Sequence, residues 1–183
     1  MAVKKLKDKV SAAPIQGALP LVEKRPLLPE FKGYAKKEGT GVKIIEGDLI
    51  LEKDFAFDGD LTVKGGIRDK EGKRYNLTVK GNLTVGGYSV LGDVSVWGNL
   101  DAKDVVNGNR IKVGGSISMD RVLTDGDVQA GRDIIVIGAL RARDVRAGRN
   151  INVTLLHARH ATAGGAITYK MRKKPDEMTA EDK

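Results

Sequence analysis

The chain has 183 residues, a net charge of +8, no cysteine, 4% aromatic residues and 23 glycines. The lack of cysteine excludes disulfide bracing, thiol chemistry and Cys-ligated metal; with so few aromatic rings, any core must be built from Val, Ile, Leu and Ala. No stretch approaches the roughly 20 continuous apolar residues that span a bilayer, and the N-terminus lacks the apolar run of a secretory signal.

Residues 1–40 hold nine Lys/Arg against four Asp/Glu, a net +5, with four of the five prolines. They read as a basic extended arm, not a second domain. Met1 to Val10 has the pattern for one or two amphipathic turns, after which Pro14, Pro20, Pro26 and Pro29 favour extended chain. Leu19, Leu21, Val22, Leu27, Leu28 and Phe31 are more apolar surface than a solvating tail needs. The arm is therefore expected to dock on its own rod, on a neighbouring subunit or on an anionic membrane surface. Its charge also suits an acidic partner, with nucleic acid less favoured.

From residue 41 the pattern changes. Leu49/Leu51 and Phe55/Phe57 alternate as two sides of a first coil, and Leu61/Val63 stands 16 residues before Leu77/Val79. The third side of that next coil reads as the polar loop Arg68 to Arg74. Between about Leu77 and Ala161 a 17-residue repeat takes over. Leu77, Val94, Ile111, Val128 and Val145 form one column, and Leu83, Leu100, Ile117, Ile134 and Ile151 a second, six residues later. Each has an apolar or small companion two places on, the alternation of a half-buried strand. A third, less regular side falls near Tyr88/Val90, Val105/Val106, Val122/Leu123, Leu140/Ala142 and Leu155/Leu156. Between the sides sit glycines such as Gly81, Gly98, Gly115, Gly131 and Gly148, often beside Asn or Asp, as suits left-handed backbone at sharp corners.

A 17-residue unit cannot bury its own apolar face, so the units must stack. The expected fold is all-β: a single-stranded β-helix, or β-solenoid, of triangular section over residues 41–169. It has about 17 residues per coil, about seven coils and a length of roughly 35 Å at one strand spacing per coil. The unequal steps of six, five and six favour a right-handed helix. Residues 170–183 read as a polar, disordered tail.

Chemistry-bearing residues are sparse. His157 and His160 are the two histidines; by the 17-residue register His160 stacks on Arg143, which marks a charged edge more than a metal site. The aspartates lie beside corner glycines or at strand ends, where Asp accepts from backbone amides. Gly114-Gly115-Ser116 lacks the Lys-Ser/Thr of a phosphate-binding loop. No catalytic residue, metal ligand or cofactor is assigned. Arg132, Arg141, Arg143 and Arg149 form a candidate anion patch, against the alternative that they pair with Asp133 and Asp144 along the coils. The sequons at Asn76, Asn82 and Asn152 are embedded in expected strands and corners, which disfavours glycosylation.

The units Gly59-Asp60-Leu61-Thr62-Val63, Gly81-Asn82-Leu83-Thr84-Val85 and Gly92-Asp93-Val94-Ser95-Val96, in short coils flanked by polar tails, resemble the bactofilins over about residues 44–169. The resemblance implies a right-handed β-helix that polymerises end to end without nucleotide, with an N-terminal tail able to contact membrane. The arm here is longer and richer in proline than that pattern, and the coils carry more Asn, Asp and Arg.

Independently of the resemblance, uncapped end coils expose strand edges and apolar layers that another copy can cover. The expected end-coil assembly residues are Leu49, Leu51, Phe55, Phe57, Leu155, Leu156, Ile167 and Tyr169. The leading expectation is a non-enzymatic, self-assembling structural protein, cytoplasmic and at the membrane surface if the arm binds lipid. A virion or surface-layer protein laced by its arm is the first alternative, and a polysaccharide-binding or polysaccharide-cleaving β-helix the second.

Overall fold

A computed structural model describes residues 41–69 and 71–173. Residues 1–40 and 174–183 lie outside this range, and with them the arm residues Leu19, Leu21, Val22, Leu27, Leu28 and Phe31 and most of the expected C-terminal tail. The described residues are all strands and turns.

The first coil consists of β1 (Val42–Ile45), β2 (Leu49–Leu51) and β3 (Phe55–Phe57), and the second of β4 (Asp60–Val63), β5 (Ile67–Asp69) and β6 (Leu77–Val79). The third holds β7 (Leu83–Val85), β8 (Ser89–Val90) and β9 (Asp93–Val96). From the fourth coil the first two sides merge into one strand. These coils are β10 (Leu100–Gly108) with β11 (Arg110–Val113), β12 (Ile117–Thr124) with β13 (Val128–Ala130), β14 (Ile134–Arg141) with β15 (Asp144–Ala147), and β16 (Ile151–His157) with β17 (His160–Ala163). An eighth coil begins with β18 (Ile167–Lys173).

All pairings are parallel and join equivalent strands of successive coils, giving a nine-stranded, a seven-stranded and a two-stranded sheet. The three faces of the solenoid follow. Face 1 carries β1, β4, β7 and the starts of β10, β12, β14, β16 and β18; face 2 carries β2, β5, β8 and the later halves of the long strands; face 3 carries the rest. The corner between faces 1 and 2 has the pairs Gly65-Gly66 and Gly86-Gly87 in the second and third coils. Lys103-Asp104, Asp120 and Ile137-Gly138 stand there in the fourth to sixth coils, and the chain turns through register shifts between Ala102 and Val105, Met119 and Val122, and Val136 and Ala139.

Both long columns form as the repeat requires. Leu77, Val94, Ile111, Val128 and Val145 pair in sequence on face 3, and Leu83, Leu100, Ile117, Ile134 and Ile151 on face 1. Every one of them is at most 1% exposed, so the columns are the core. Burying each of these side chains contributes roughly 1.5–3 kcal/mol relative to leaving it in water.

Four details differ from the sequence expectation. Leu61/Val63 pairs with Leu83/Val85 on face 1, while Phe55/Phe57 underlies Leu77/Val79. The second coil keeps its third side, with Ile67 fully buried in β5, and the polar insertion follows that strand. On face 2 of the third coil Ser89 points inward instead of Tyr88 or Val90, and Tyr88 is half-exposed. The buried hydroxyl is satisfied, accepting from the Ile67 N–H at 3.0 Å and donating to the Gly87 carbonyl at 3.3 Å.

The fourth difference concerns the glycines. Among the described residues positive φ occurs only at Gly59 and Gly72, so most corner glycines are not there for left-handed backbone. They are there for closeness: a Cβ on Gly98 would lie 2.8 Å from the Gly81 carbonyl oxygen, and one on Gly115 2.8 Å from that of Gly98.

Candidate functional surfaces

The corner between faces 3 and 1 is built by a side-chain ladder. The Asp60 Oδ1 accepts the Asn82 backbone N–H at 2.7 Å, Asn82 Oδ1 that of Asn99 at 2.9 Å, and Asn99 Oδ1 that of Ser116 at 2.9 Å. Ser116 Oγ then accepts from Asp133 N–H at 3.4 Å, Asp133 Oδ1 from Asn150 at 3.1 Å, and Asn150 Oδ1 from Ala166 at 3.0 Å. Beside it runs a backbone ladder in which the N–H groups of Gly81, Gly98, Gly115, Arg132, Arg149 and Gly165 each donate to the equivalent carbonyl one coil earlier. Sequence alone shows the Gly-Asn and Gly-Asp pairs; that they are consecutive rungs follows only once the coils are in register.

The anion-patch arginines divide between two corners. Arg132 and Arg149 stack on each other at the ladder corner, with the Arg149 N–H donating to the Arg132 carbonyl at 2.9 Å, and both are exposed. They occupy the position that Gly81, Gly98 and Gly115 hold earlier. Each is preceded by a glycine, Gly131 and Gly148, as Gly115 is by Gly114. Arg141 and Arg143 flank the corner between faces 2 and 3, where Arg143 is committed to Asp127, with its Nε at 3.0 Å and Nη2 at 2.9 Å from one carboxylate oxygen. The expected partners are otherwise engaged: Asp133 serves the ladder, and Asp144 lies 3.7 Å from Arg146.

His157 is buried and His160 exposed. His160 pairs in register with Asp144, not Arg143, because the last lap is one residue short; Arg143 stacks under Arg159 instead. Among the described residues no group of three or more His, Asp or Glu side chains is placed to hold a metal ion. Several carboxylates do the turn work expected of them. Asp48 accepts the Gly66 N–H at 2.9 Å, and Asp54 that of Asn76 at 2.9 Å. The sequon residues Asn76 and Asn82 are tied into these networks, whereas Asn152 is exposed on face 1.

The end-coil residues divide by depth. At the N-terminal end Leu49, Phe55 and Phe57 are partly buried against the core, as is Ile45, while Leu51 is only 3% exposed. At the C-terminal end Ile167 and Tyr169 are partly buried. Leu156, which the sequence assigns to the end surface, is fully buried, because β18 pairs beyond it; Leu155 is half-buried beside Met171. Lys43 occupies the inward register position above Leu61, with its Nζ 5.9 Å from the Phe55 ring centroid.

One apolar surface escapes the sequence reading. Outward positions of face 1 run Thr62, Thr84, Asp101, Ser118 and then Ile135, and Ile135 and Ile137 are 45% and 72% exposed. The signal was the unbroken run Ile134-Ile135-Val136-Ile137, where alternation should have placed polar residues.

No protein family, curated protein or solved structure matches the chain. What the residues establish is the architecture, a parallel β-solenoid of seven coils and the start of an eighth.

Proposed function

We propose that this is a non-enzymatic structural protein of bactofilin-like kind, which assembles through the ends of its β-solenoid into filaments or a larger scaffold. The observation that carries this reading is the state of the two terminal coils. Ile45, Leu49, Phe55 and Phe57 at one end and Ile167 and Tyr169 at the other are apolar and incompletely covered. The strands β1 and β18 each pair on one side only among the described residues. An open parallel edge beside an apolar layer is a template for another copy.

The carboxylates support the structural reading over the polysaccharide-cleaving one. Asp48, Asp54, Asp60 and Asp133 accept backbone amides of the next coil, which ties them to holding the fold. The basic arm would supply attachment, with anionic lipid headgroups as its favoured target, giving a cytoplasmic polymer at the membrane surface.

Negative-stain imaging of the purified full chain at neutral pH without nucleotide tests the proposal. Filaments or sheets are expected; monodisperse rods at concentrations well above micromolar, especially ones that bind glycans, would remove it.

A further inference from the structure

We propose that residues 1–40 fold back on the rod, with Leu27, Leu28 and Phe31 seated on an apolar strip along the edge between faces 1 and 2. The docking stands whether or not the rods polymerise, and it gives the arm a partner within its own chain.

Exposed apolar side chains on the rod are confined to one side. Among the described residues seven large ones lie between 43% and 75% exposed. Val42 and Ile44 stand in the first coil, Tyr88 in the third, Ile135 and Ile137 in the sixth and Met171 in the eighth. These six point out from face 1 or stand beside its corner with face 2. The seventh, Ile50, is on face 2, and face 3 has none. The half-buried Ala139 and Leu155 pair in sequence with Met171 and widen the strip at its far end. Apolar surface gathered in this way marks a place that something covers.

The arm fits by attachment and length. It joins the rod at Gly41, which opens face 1, where the Gly41 carbonyl accepts from the Asp60 N–H at 2.9 Å. From there Ile137 is five coil spacings along and five residues across, roughly 30 Å in a straight line. The ten residues from Phe31 to Gly41 span at most roughly 33–36 Å, enough to set the ring on Ile137. Met171 is roughly 40 Å from the same point, inside the reach of Leu27 and Leu28. Tethering delivers these side chains at an effective concentration on the order of millimolar.

Other occupants fit less well. Along the strip Asp101, Asp104 and Asp120 stand against Lys103, Arg121 and Lys170, so it is neutral and lacks the positive field that draws a surface to anionic lipid. Two convex edges laid together touch along a line, short of the roughly 1,000 Å² that a stable interface between copies needs. One extended segment suits a narrow strip, and apolar contact holds it there. On the attachment reading above, the same side chains cannot serve rod and bilayer at once. Docking therefore keeps the arm closed until an anionic surface competes for it.

The test uses the full chain, which has no cysteine of its own. In dilute solution, mild oxidation of the double variant Phe31→Cys, Ile137→Cys is expected to give an intramolecular disulfide, read as a faster-migrating monomer on a non-reducing gel. The control pair Phe31→Cys, Arg132→Cys puts its second cysteine at the start of the same coil, exposed and nearer the root of the arm. Its yield is expected to be several-fold lower. Equal yields, or no internal bond from the first pair, would overturn the docking, and linked dimers would assign the strip to a neighbour's arm and overturn it too. Ile137→Ser is the second measurement; that side chain is 72% exposed, so its loss leaves the rod folded. Trypsin cleavage after Lys32, Lys36 and Lys37 is expected to quicken several-fold as the arm is released. Unchanged cleavage with weaker vesicle binding would give the strip to a bilayer, and unchanged cleavage with weaker self-association would give it to a second copy; either overturns the inference. No readout here needs a filament, so a failure of the assembly reading would be seen separately.

Discussion

The side-chain oxygen of Asn99 lies 2.9 Å from the backbone nitrogen of Ser116, one full coil away, and repeats what Asn82 does for Asn99 itself. Each residue of the ladder is thus a donor to the coil before it and an acceptor for the coil after it. Asn99→Ala removes the acceptor while leaving the Ser116 N–H in place. It is expected to cost about 1 kcal/mol, the low end for an orphaned donor because the corner is partly exposed. Asn99→Asp, which keeps an acceptor oxygen, should cost less. Guanidinium unfolding checks this through a lowered midpoint with an unchanged slope.

Two glycine substitutions should separate close approach from open space. Gly98→Ala forces a methyl to within 2.8 Å of the Gly81 carbonyl oxygen and is expected to destabilise by about 1–3 kcal/mol, as overpacking does. Gly47, where nothing lies within 4 Å of an added Cβ and φ is not positive, should accept Ala with no loss or a gain of about 0.4–1 kcal/mol from a less flexible unfolded chain. Parallel thermal and denaturant melts of the two variants decide it.

Core and end residues should respond differently. Ile117→Ala, in the middle of a fully buried column, is expected to cost about 2–5 kcal/mol. Phe55→Ser, at an end, should lower stability less but suppress assembly, because Phe55 is only partly buried within one rod. Sedimentation velocity beside a denaturant melt reads both quantities; equal effects on stability would remove the distinction between core and joint.

The bond between Arg143 and Asp127 joins successive coils at the surface, with the arginine side chain 56% exposed. Removing it with Arg143→Ala is expected to cost under about 1 kcal/mol and to matter less at high salt.

Deleting residues 1–40 should leave filaments intact and abolish co-sedimentation with anionic vesicles, if the arm attaches and the coils polymerise. Loss of filaments with the arm would transfer the assembly role to it.

The repeating core was legible because β-branched side chains at Val94, Ile111 and Val128 must be inward for the coils to stack, and an inward aliphatic leaves a periodic trace. Departures came where something other than apolar burial set the position. Ser89 is inward because its hydroxyl is satisfied locally, and no hydrophobicity pattern reports that. The final laps are 16 residues, not 17, so extrapolating the period moved His160 by one place, from Asp144 to Arg143. The buried position of Leu156 depended on the start of an eighth coil, β18, whose lysines and arginine disguised it. The glycines were correctly placed at corners and given the wrong reason, since composition does not distinguish a need for positive φ from a need for contact with the coil below.

Because Leu100 and Ile117 occupy the same place in consecutive laps, the stretch from residue 100 to 116 is a removable rung. Excising it would splice Asn99 directly to Ile117, keep the hydrogen-bonding corner continuous and shorten the molecule by one strand spacing, about 4.8 Å. The lap therefore works as a ruler, through which insertion or loss of whole rungs resets the molecule's reach without redesigning either of its extremities.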